Sequence, residues 1–299
     1  MLNLIRAEWF KLVRRPMAWV LLAIFLALLA LLRLAEFLTL ALHDGLLTEG
    51  QVRLSLLREA QVAQFRLQLS FPGIFGAVLS HVNGVGGICA IVLAAGAMGS
   101  EYNWGTLRTQ FTRQPRRGRY LAAKIVTLLL ILLCGIAIGL LTGALLALLF
   151  GGLLGNIGSA SAGDLLMLPV GMLRSLFVLL PYVMCTIACC ILGRSILAGM
   201  GGGFLFLIVD VGLGALSFLS QLGGLLGFLV NLAVQPNVNT LIVLNSRDFG
   251  LNPAILTRTM DLATLPSPIH ATLVIAVYSA LFFIYAYRSL VRRDITGAR

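Results

Sequence analysis

The side chains that could do chemistry in this chain are a few polar residues inside apolar runs. Asp210 is a lone carboxylate within Phe204-Leu-Phe-Leu-Ile-Val-Asp-Val. If such a run crosses a membrane, an ionisable residue in it marks a substrate or proton path by default. Helical rise places Asp210 roughly 24 Å, and His81 and Asn83 roughly 27 to 30 Å, from the basic segments described below. We therefore predict a polar cluster of Asp210, His81 and Asn83 with Arg174 nearby. A structural hydrogen bond between helices is the competing interpretation, and the more common role.

Residue patterns for other chemistries are absent from the sequence. Its two lysines, Lys11 and Lys124, do not follow the Gly-x-x-x-x-Gly of a nucleotide-binding loop, so we expect no ATP hydrolysis here. The hydrolase motifs Gly-x-Ser-x-Gly and His-Glu-x-x-His are also missing. We expect no metal and no cofactor in this chain, because no histidine completes a site around the Cys185-x-x-x-Cys189-Cys190 group.

The composition is that of a membrane protein. Hydrophobic residues make up 59% of the chain and charged residues 11%, whereas a soluble domain carries roughly 25% charged residues. The mean hydropathy is +0.99. The apolar residues are grouped in runs long enough to cross a bilayer.

The net charge of +11 is unevenly distributed. Four segments hold 15 of the 22 basic residues and three of the 11 acids, which are Glu8, Glu101 and Asp294. These segments are 1–16, 100–124, the turn at Arg194 and 288–299, and apolar runs separate them. This is the positive-inside pattern, which predicts both termini in the cytoplasm and argues against nucleic-acid binding.

The pattern predicts an all-α integral membrane protein with six transmembrane helices and one transmembrane domain over 1–299. Residues 2–15 form an amphipathic interfacial helix that ends at Pro16, with Trp9, Lys11, Arg14 and Arg15 as its interfacial anchors. Residues 100–120 form a cytoplasmic segment, and 220–268 an outer region with short helices. The predicted spans are 17–38, 71–99, 121–150, 168–192, 196–219 and 269–287.

The segment after the second span carries the most specific pattern. Glu101-Tyr-Asn-Trp-Gly-Thr-Leu-Arg108 leaves the membrane, and the arginine-rich run from Pro115 to Lys124 returns to it. Thr106 is a suitable N-cap for a short helix after Gly105. Physically, the segment suits either a groove in a cytoplasmic partner or anionic headgroups.

Together with the Glu8-Trp-Phe-Lys-Leu-Val-Arg-Arg-Pro16 opening, this segment resembles the permeases of ABC-2 type transporters, and the resemblance covers nearly the whole chain. It implies a permease subunit, with a preference for export, that pairs with a second permease copy and with cytoplasmic ATPase subunits. ATP and magnesium would then be bound by the ATPase partner. The residues carried over for ATPase coupling are Glu101, Gly105, Thr106, Arg108, Arg116 and Arg119. The expected location is the plasma (inner) membrane of a prokaryote.

Other functions stay open at this point. A proton-coupled secondary transporter would use Asp210 and His81 as a relay, but no inverted repeat with paired broken helices supports it. An intramembrane hydrolase lacks its motifs. A complex of the same kind could also serve immunity or regulation without bulk transport, and the sequence does not identify a cargo.

Overall fold

The computed structural model describes residues 1–46, 59–107, 111, 117–216, 224–253, 262 and 265–292, and these residues are almost entirely helical. Within them, ten helices have eight residues or more. In chain order they are α1 Leu2–Val13, α2 Pro16–His43, α3 Glu59–Gln68, α4 Gly73–Asn103, α5 Arg117–Gly151, α6 Ala162–Gly193, α7 Ile196–Ala215, α8 Gly224–Asn231, α9 Val234–Asp248 and α10 Pro268–Arg292.

Six helices of the described chain are long and apolar enough to cross a membrane: α2, α4, α5, α6, α7 and α10. The all-α fold with six spans is therefore confirmed. Several of these helices are longer than the predicted spans. For example, α6 begins at Ala162 because Ser161 and Asp164 form a capping box, with mutual backbone hydrogen bonds of 3.2 and 2.7 Å.

Two spans form the centre of the bundle. In their most apolar stretches, α4 is 61% buried and α6 is 67% buried, against 17% for α2 and α7. Helix α6 contains Pro169 and Pro181, which transmembrane helices tolerate because neighbouring helices satisfy the freed backbone groups. The outer faces of α2 and α7 are thus left for lipid or for another chain.

Helices α6 and α7 form a closely packed hairpin. The turn between them uses Arg194 in the left-handed region (φ 50°), and the Ser195 hydroxyl caps α7 by accepting from the Ala198 N–H at 3.0 Å. Farther along, a side chain at Gly203 would lie 2.3 Å from Thr186 Oγ1. The absent side chain at Gly203 is what allows this close approach.

The predicted outer region contains an unexpected element. Residues 224–231 and 234–248 are the helices α8 and α9, and α9 is polar in sequence (Val-Gln-Pro-Asn-Val-Asn-Thr) yet largely buried. It packs against α4, α6, α7 and α10. Polar side chains at Asn237, Asn245 and Ser246 are buried there and bond to backbone or to neighbouring helices.

The ends of the described chain meet at one end of the bundle, which we call the basic end. Helix α1 packs against α5, where the Thr127 hydroxyl, which donates to the Ala123 carbonyl at 2.8 Å, lies 3.5 Å from the Ile5 carbonyl. Arg117 at the start of α5 donates to the carbonyls of Leu290 (3.0 Å) and Val291 (3.1 Å) near the end of α10. The basic end therefore gathers α1, the end of α4, the start of α5 and the end of α10.

Candidate functional site

Four charged side chains form a cluster at the basic end, which we call the charge cluster: Glu8, Lys11, Glu101 and Lys124. Lys124 Nζ lies 3.0 Å from Glu8 Oε2 and 2.7 Å from Glu101 Oε1. Lys11 Nζ lies 2.6 Å from Glu8 Oε1 and 3.6 Å from Glu101 Oε1. The cluster thus joins α1, the last turn of α4 and the first turns of α5, and it includes both lysines of the chain.

The cluster is buried, so its charges depend on each other. Lys124 is 1% exposed, Glu101 2% and Glu8 4%. Burial acts to raise the pKa of Glu8, but the ammonium groups of Lys124 and Lys11 outweigh it and hold that pKa below its ordinary value. The second oxygen of Glu101, Oε2, is buried without a hydrogen-bond partner among the described residues. Removing either partner of such a pair leaves an uncompensated charge.

A second contact ties the linker after α1 to the end of α4. Arg15 Nη1 donates to Ser100 Oγ at 2.7 Å, and its guanidinium lies 4.8 Å from the centre of the Trp104 ring. Trp104 is 66% exposed. Gly105 follows with φ 65°, a left-handed conformation that glycine adopts without strain. The exposed Trp104 ring therefore lies at the surface of the basic end, and the Arg15 guanidinium contacts one of its faces.

The structure places the predicted coupling residues in different environments. Glu101 is buried in the charge cluster, where it pairs with Lys124 and Lys11. Gly105 forms the turn and holds the N-cap position that was predicted for Thr106. Thr106 is instead the first helical residue, and its hydroxyl donates to the Glu101 carbonyl at 3.5 Å. Arg119 is exposed on α5. The remaining two, Arg108 and Arg116, lie outside the described residues.

Only some of the predicted interfacial anchors of α1 are exposed. Arg14 is exposed, with its guanidinium 3.9 Å from the centre of the Phe10 ring, whereas Trp9 is half-buried. Lys11 and Arg15 turn toward the cluster and toward Ser100. Helix α1 is thus fastened to the bundle through its polar residues.

Asp210 lies at the start of the buried helix α9. Its Oδ1 accepts from the Gln235 N–H at 2.8 Å, and its Oδ2 accepts from the Tyr182 hydroxyl at 2.6 Å. The residue before α9, Ala233, offers no side-chain cap. Asp210, reaching from α7, therefore caps α9 and complements the positive end of its helix dipole. This arrangement supports the structural interpretation of Asp210.

The other members of the predicted polar cluster have different partners. His81 Nε2 lies 3.4 Å from the Phe25 carbonyl, and Asn83 sits in a π-helical turn with both amide atoms buried and unpartnered among the described residues. Arg174 pairs with Asp248 and donates to Asn245 Oδ1 at 3.1 Å, at the far end of α9. No hydrogen bond in the described part of the chain joins His81 or Asn83 to Asp210, and the shared pathway stays a prediction.

The sequence contains a signal for the charge cluster, but the predicted site residues included only Lys11 and Glu101 of its four members. The basic segments hold three acids, and two of them, Glu8 and Glu101, pair with the two lysines. Rare acids in a basic segment are good candidates for pairing. Tyr182 and Gln235, by contrast, carry no local signal, because they meet Asp210 only through the packing of α6, α7 and α9.

The fold and this site define a polytopic α-helical membrane protein in which buried ion pairs join the end of the second span to the start of the third. A family model described as "ABC-2 family transporter protein" matches residues 2–295. The chain therefore belongs to the ABC-2 family of transporter proteins, as a membrane-spanning permease. No curated protein and no solved structure gives a significant match.

Proposed function

We propose that this permease forms the translocation path of an ABC exporter, with a second permease chain and two cytoplasmic ATPase subunits. The observation that carries the proposal is the charge cluster, because it joins Glu101, the first of the predicted ATPase-coupling residues, to α1 and α5 by buried ion pairs. ATP and magnesium belong to the ATPase partners in this assembly. The basic end faces the cytoplasm of a prokaryotic cell, in line with the positive-inside rule.

Movement of the ATPase is coupled to the spans because the charge cluster makes the basic end rigid. The ATPase contacts the exposed surface around Trp104 and Arg119, and its closure displaces the segment between α4 and α5. Because Lys124 holds Glu101 and Glu8 together, a displacement of this segment carries α1 with it. Interfaces joined by buried pairs move as units, which transmits a small shift over the length of the spans.

The test co-expresses this chain with a candidate ABC ATPase from the same genome and purifies the two together in nanodiscs. We expect Trp104→Ala and Arg119→Glu to lower recovery of the ATPase with the permease. Ile157→Ala, at an exposed residue remote from the basic end, is the matched control and should leave recovery unchanged.

The role of the cluster is read from ATP turnover in the same complexes. Lys124→Met should bind the ATPase but lose the dependence of its turnover on the permease, whereas Lys124→Arg should retain a larger part of it. Equal ATP turnover in complexes with the unsubstituted chain, Lys124→Met and Lys124→Arg would contradict coupling through the cluster. Transport by the chain reconstituted alone would contradict the ABC assignment of mechanism and favour a proton-coupled carrier.

A further inference from the structure

An apolar cavity of about 300 Å³ lies between α1, α2, α4 and α5, next to the charge cluster but separate from it. Its wall is formed by hydrophobic side chains and contains almost no polar surface, with Trp9, Val13, Leu22, Val82, Leu93 and Ile131 among its lining residues. Cavities of this size are at the lower end of those that hold small ligands.

The cavity opens sideways, toward the bilayer. Trp19 on α2 is 57% exposed and Cys134 on α5 is exposed, and both line it. Along α5, a side chain at Gly139 would meet Phe25 at 2.9 Å and one at Gly143 would meet Val78 at 2.4 Å. A side chain at Gly135, on the same stripe, would meet nothing within 4 Å. Gly139 and Gly143 therefore pack closely against neighbouring helices, whereas open space lies beside Gly135.

An apolar space in a membrane protein needs an apolar occupant. Water does not fill such a cavity, because it finds no polar partners there. Left empty, the wall forgoes its dispersion contacts on one side. The lining runs along α4 from Val82 to Leu93, a rise of about 16 Å, which is close to half of the roughly 30 Å hydrocarbon core. This length fits one acyl chain, and the lining residues Trp9 and Val13 on α1 put one end of the cavity at the basic end.

The mouth of the cavity favours an anionic headgroup. Val13 lines the cavity, and the next residue, Arg14, is exposed with no carboxylate within 4 Å in the described part of the chain. Arg14 stands at the end of an interfacial helix that contains one acid, the buried Glu8. A phosphate at the membrane surface satisfies such a cation.

We propose that an anionic phospholipid of the leaflet at the basic end inserts one acyl chain between α2 and α5, with its headgroup at Arg14. The acyl chain packs beneath Trp9 and Val13 of α1, the helix that also supplies Glu8 to the charge cluster. The bound lipid thus supports the position of α1 from the membrane side. This site goes beyond the proposed function, since its occupancy requires no ATPase and no cargo.

The experiment uses a photoactivatable phosphatidylglycerol with a diazirine in the middle of one acyl chain, diluted into phosphatidylethanolamine vesicles that contain the full chain. After irradiation, labelled peptides are mapped by mass spectrometry. We expect labelling in residues 19–25 and 131–138, measured relative to the lipid-facing residues Leu205 and Ile208. A phosphatidylcholine probe with the same diazirine should label these cavity peptides several-fold less.

Two glycines supply matched variants. Gly135→Phe fills the cavity and should lower labelling of the cavity peptides by about fivefold or more. Gly212→Phe adds the same ring on α7, where it also meets open space, and should leave cavity labelling within about twofold. Arg14→Gln should remove most of the preference for phosphatidylglycerol. Unchanged labelling in Gly135→Phe, or equal labelling by both probes in the unsubstituted chain, overturns the proposal, and neither result bears on ATPase coupling.

Discussion

Lys124 is the residue on which the basic end depends most strongly. Its ammonium group lies within 3.0 Å of two carboxylates, one on α1 and one on α4, and it is 1% exposed. A lysine in water gains little from an ion pair, but one buried with its partners cannot lose either without exposing a charge to an apolar environment. The pairs therefore favour one relative position of three helices over others.

This dependence predicts the response to substitution of the two lysines. Lys124→Met should lower the free energy of unfolding by about 3–5 kcal/mol, because it leaves two buried carboxylates with one partial partner. Lys11→Met, at a half-exposed lysine, should cost about 1 kcal/mol or less. The measurement is chemical unfolding of the purified chain in mixed micelles, with Lys11→Met as the control.

The double variant Lys124→Met with Glu101→Gln tests the pairing itself. We expect it to be less destabilised than the sum of the two single variants, with a coupling of about 0.5–3 kcal/mol. Additive losses would mean that the two side chains do not stabilise each other.

Asp210 leads to a second prediction at the residue scale. Asp210→Ala leaves the Gln235 N–H without its acceptor, at a cost of about 1–3 kcal/mol, and leaves the Tyr182 hydroxyl with only its longer 3.3 Å hydrogen bond to Gln235 Oε1. Tyr182→Phe keeps the cap and should cost less. Unfolding measured as above, with amide hydrogen exchange over 234–248, should show faster exchange at the start of α9 only in Asp210→Ala.

The same position separates the structural role of Asp210 from a role in the translocation path. Asp210→Asn retains an oxygen acceptor for Gln235, so we expect near-normal folding and assembly with ATPase subunits. Loss of transport in this variant, with assembly and stability retained, would favour the pathway prediction. Transport that follows stability across all the Asp210 variants would favour the cap.

Helix α7 shows how one element is held on one face and free on the other. Gly203 faces α6 and α4, where an added side chain would meet Thr186 Oγ1 at 2.3 Å and Ile91 Cγ2 at 2.8 Å. Gly201, two residues earlier, faces open space. In lipid, close packing of small residues replaces the hydrophobic effect as the force between helices. We therefore expect Gly203 to contribute more to the stability of the protein than Gly201.

The resulting prediction concerns one pair of variants on the same helix. Gly203→Val should lower the free energy of unfolding by about 1–3 kcal/mol, because overpacking forces α7 away from α6. Gly201→Val should change it by about 0.5 kcal/mol or less. The ranking is checked by thermal unfolding in detergent, and equal effects would contradict the packing of this hairpin.

The elements themselves were largely predictable, and their contacts were not. Runs such as Met17 to Leu38 are apolar over more than a bilayer thickness, and this is sufficient to predict a span. Helix α6 begins six residues before the predicted span, because the capping box at Ser161 precedes the apolar run. Burial of the polar helix α9 was unforeseen, since it depends on Asp210 at one end and Arg174 at the other, residues distant in sequence.

At the scale of the whole molecule, the basic end brings together the parts that the proposed ATP-driven permease would need. Exposed Trp104 and Arg119 lie at its surface, and the charge cluster lies behind them. The central helices α4 and α6 run from this end through the bundle, and α6 and α9 meet at Arg174. A displacement of the basic end therefore reaches α9 through two packed helices and without a flexible linker.

Orientation in the membrane is the prediction on which this assembly depends. In a variant whose five cysteines are replaced, Arg119→Cys introduces a thiol at the basic end and Ser159→Cys one in the loop before α6; both positions are exposed. With the basic end in the cytoplasm, a membrane-impermeant maleimide should label Ser159→Cys in intact cells, and Arg119→Cys only after permeabilisation. The expectation rests on the 15 basic residues of the four segments, because basic residues next to membrane spans favour the cytoplasmic side during insertion. The reverse labelling pattern would place the coupling surface on the side that lacks ATP, and the proposed ATPase partnership would then be wrong.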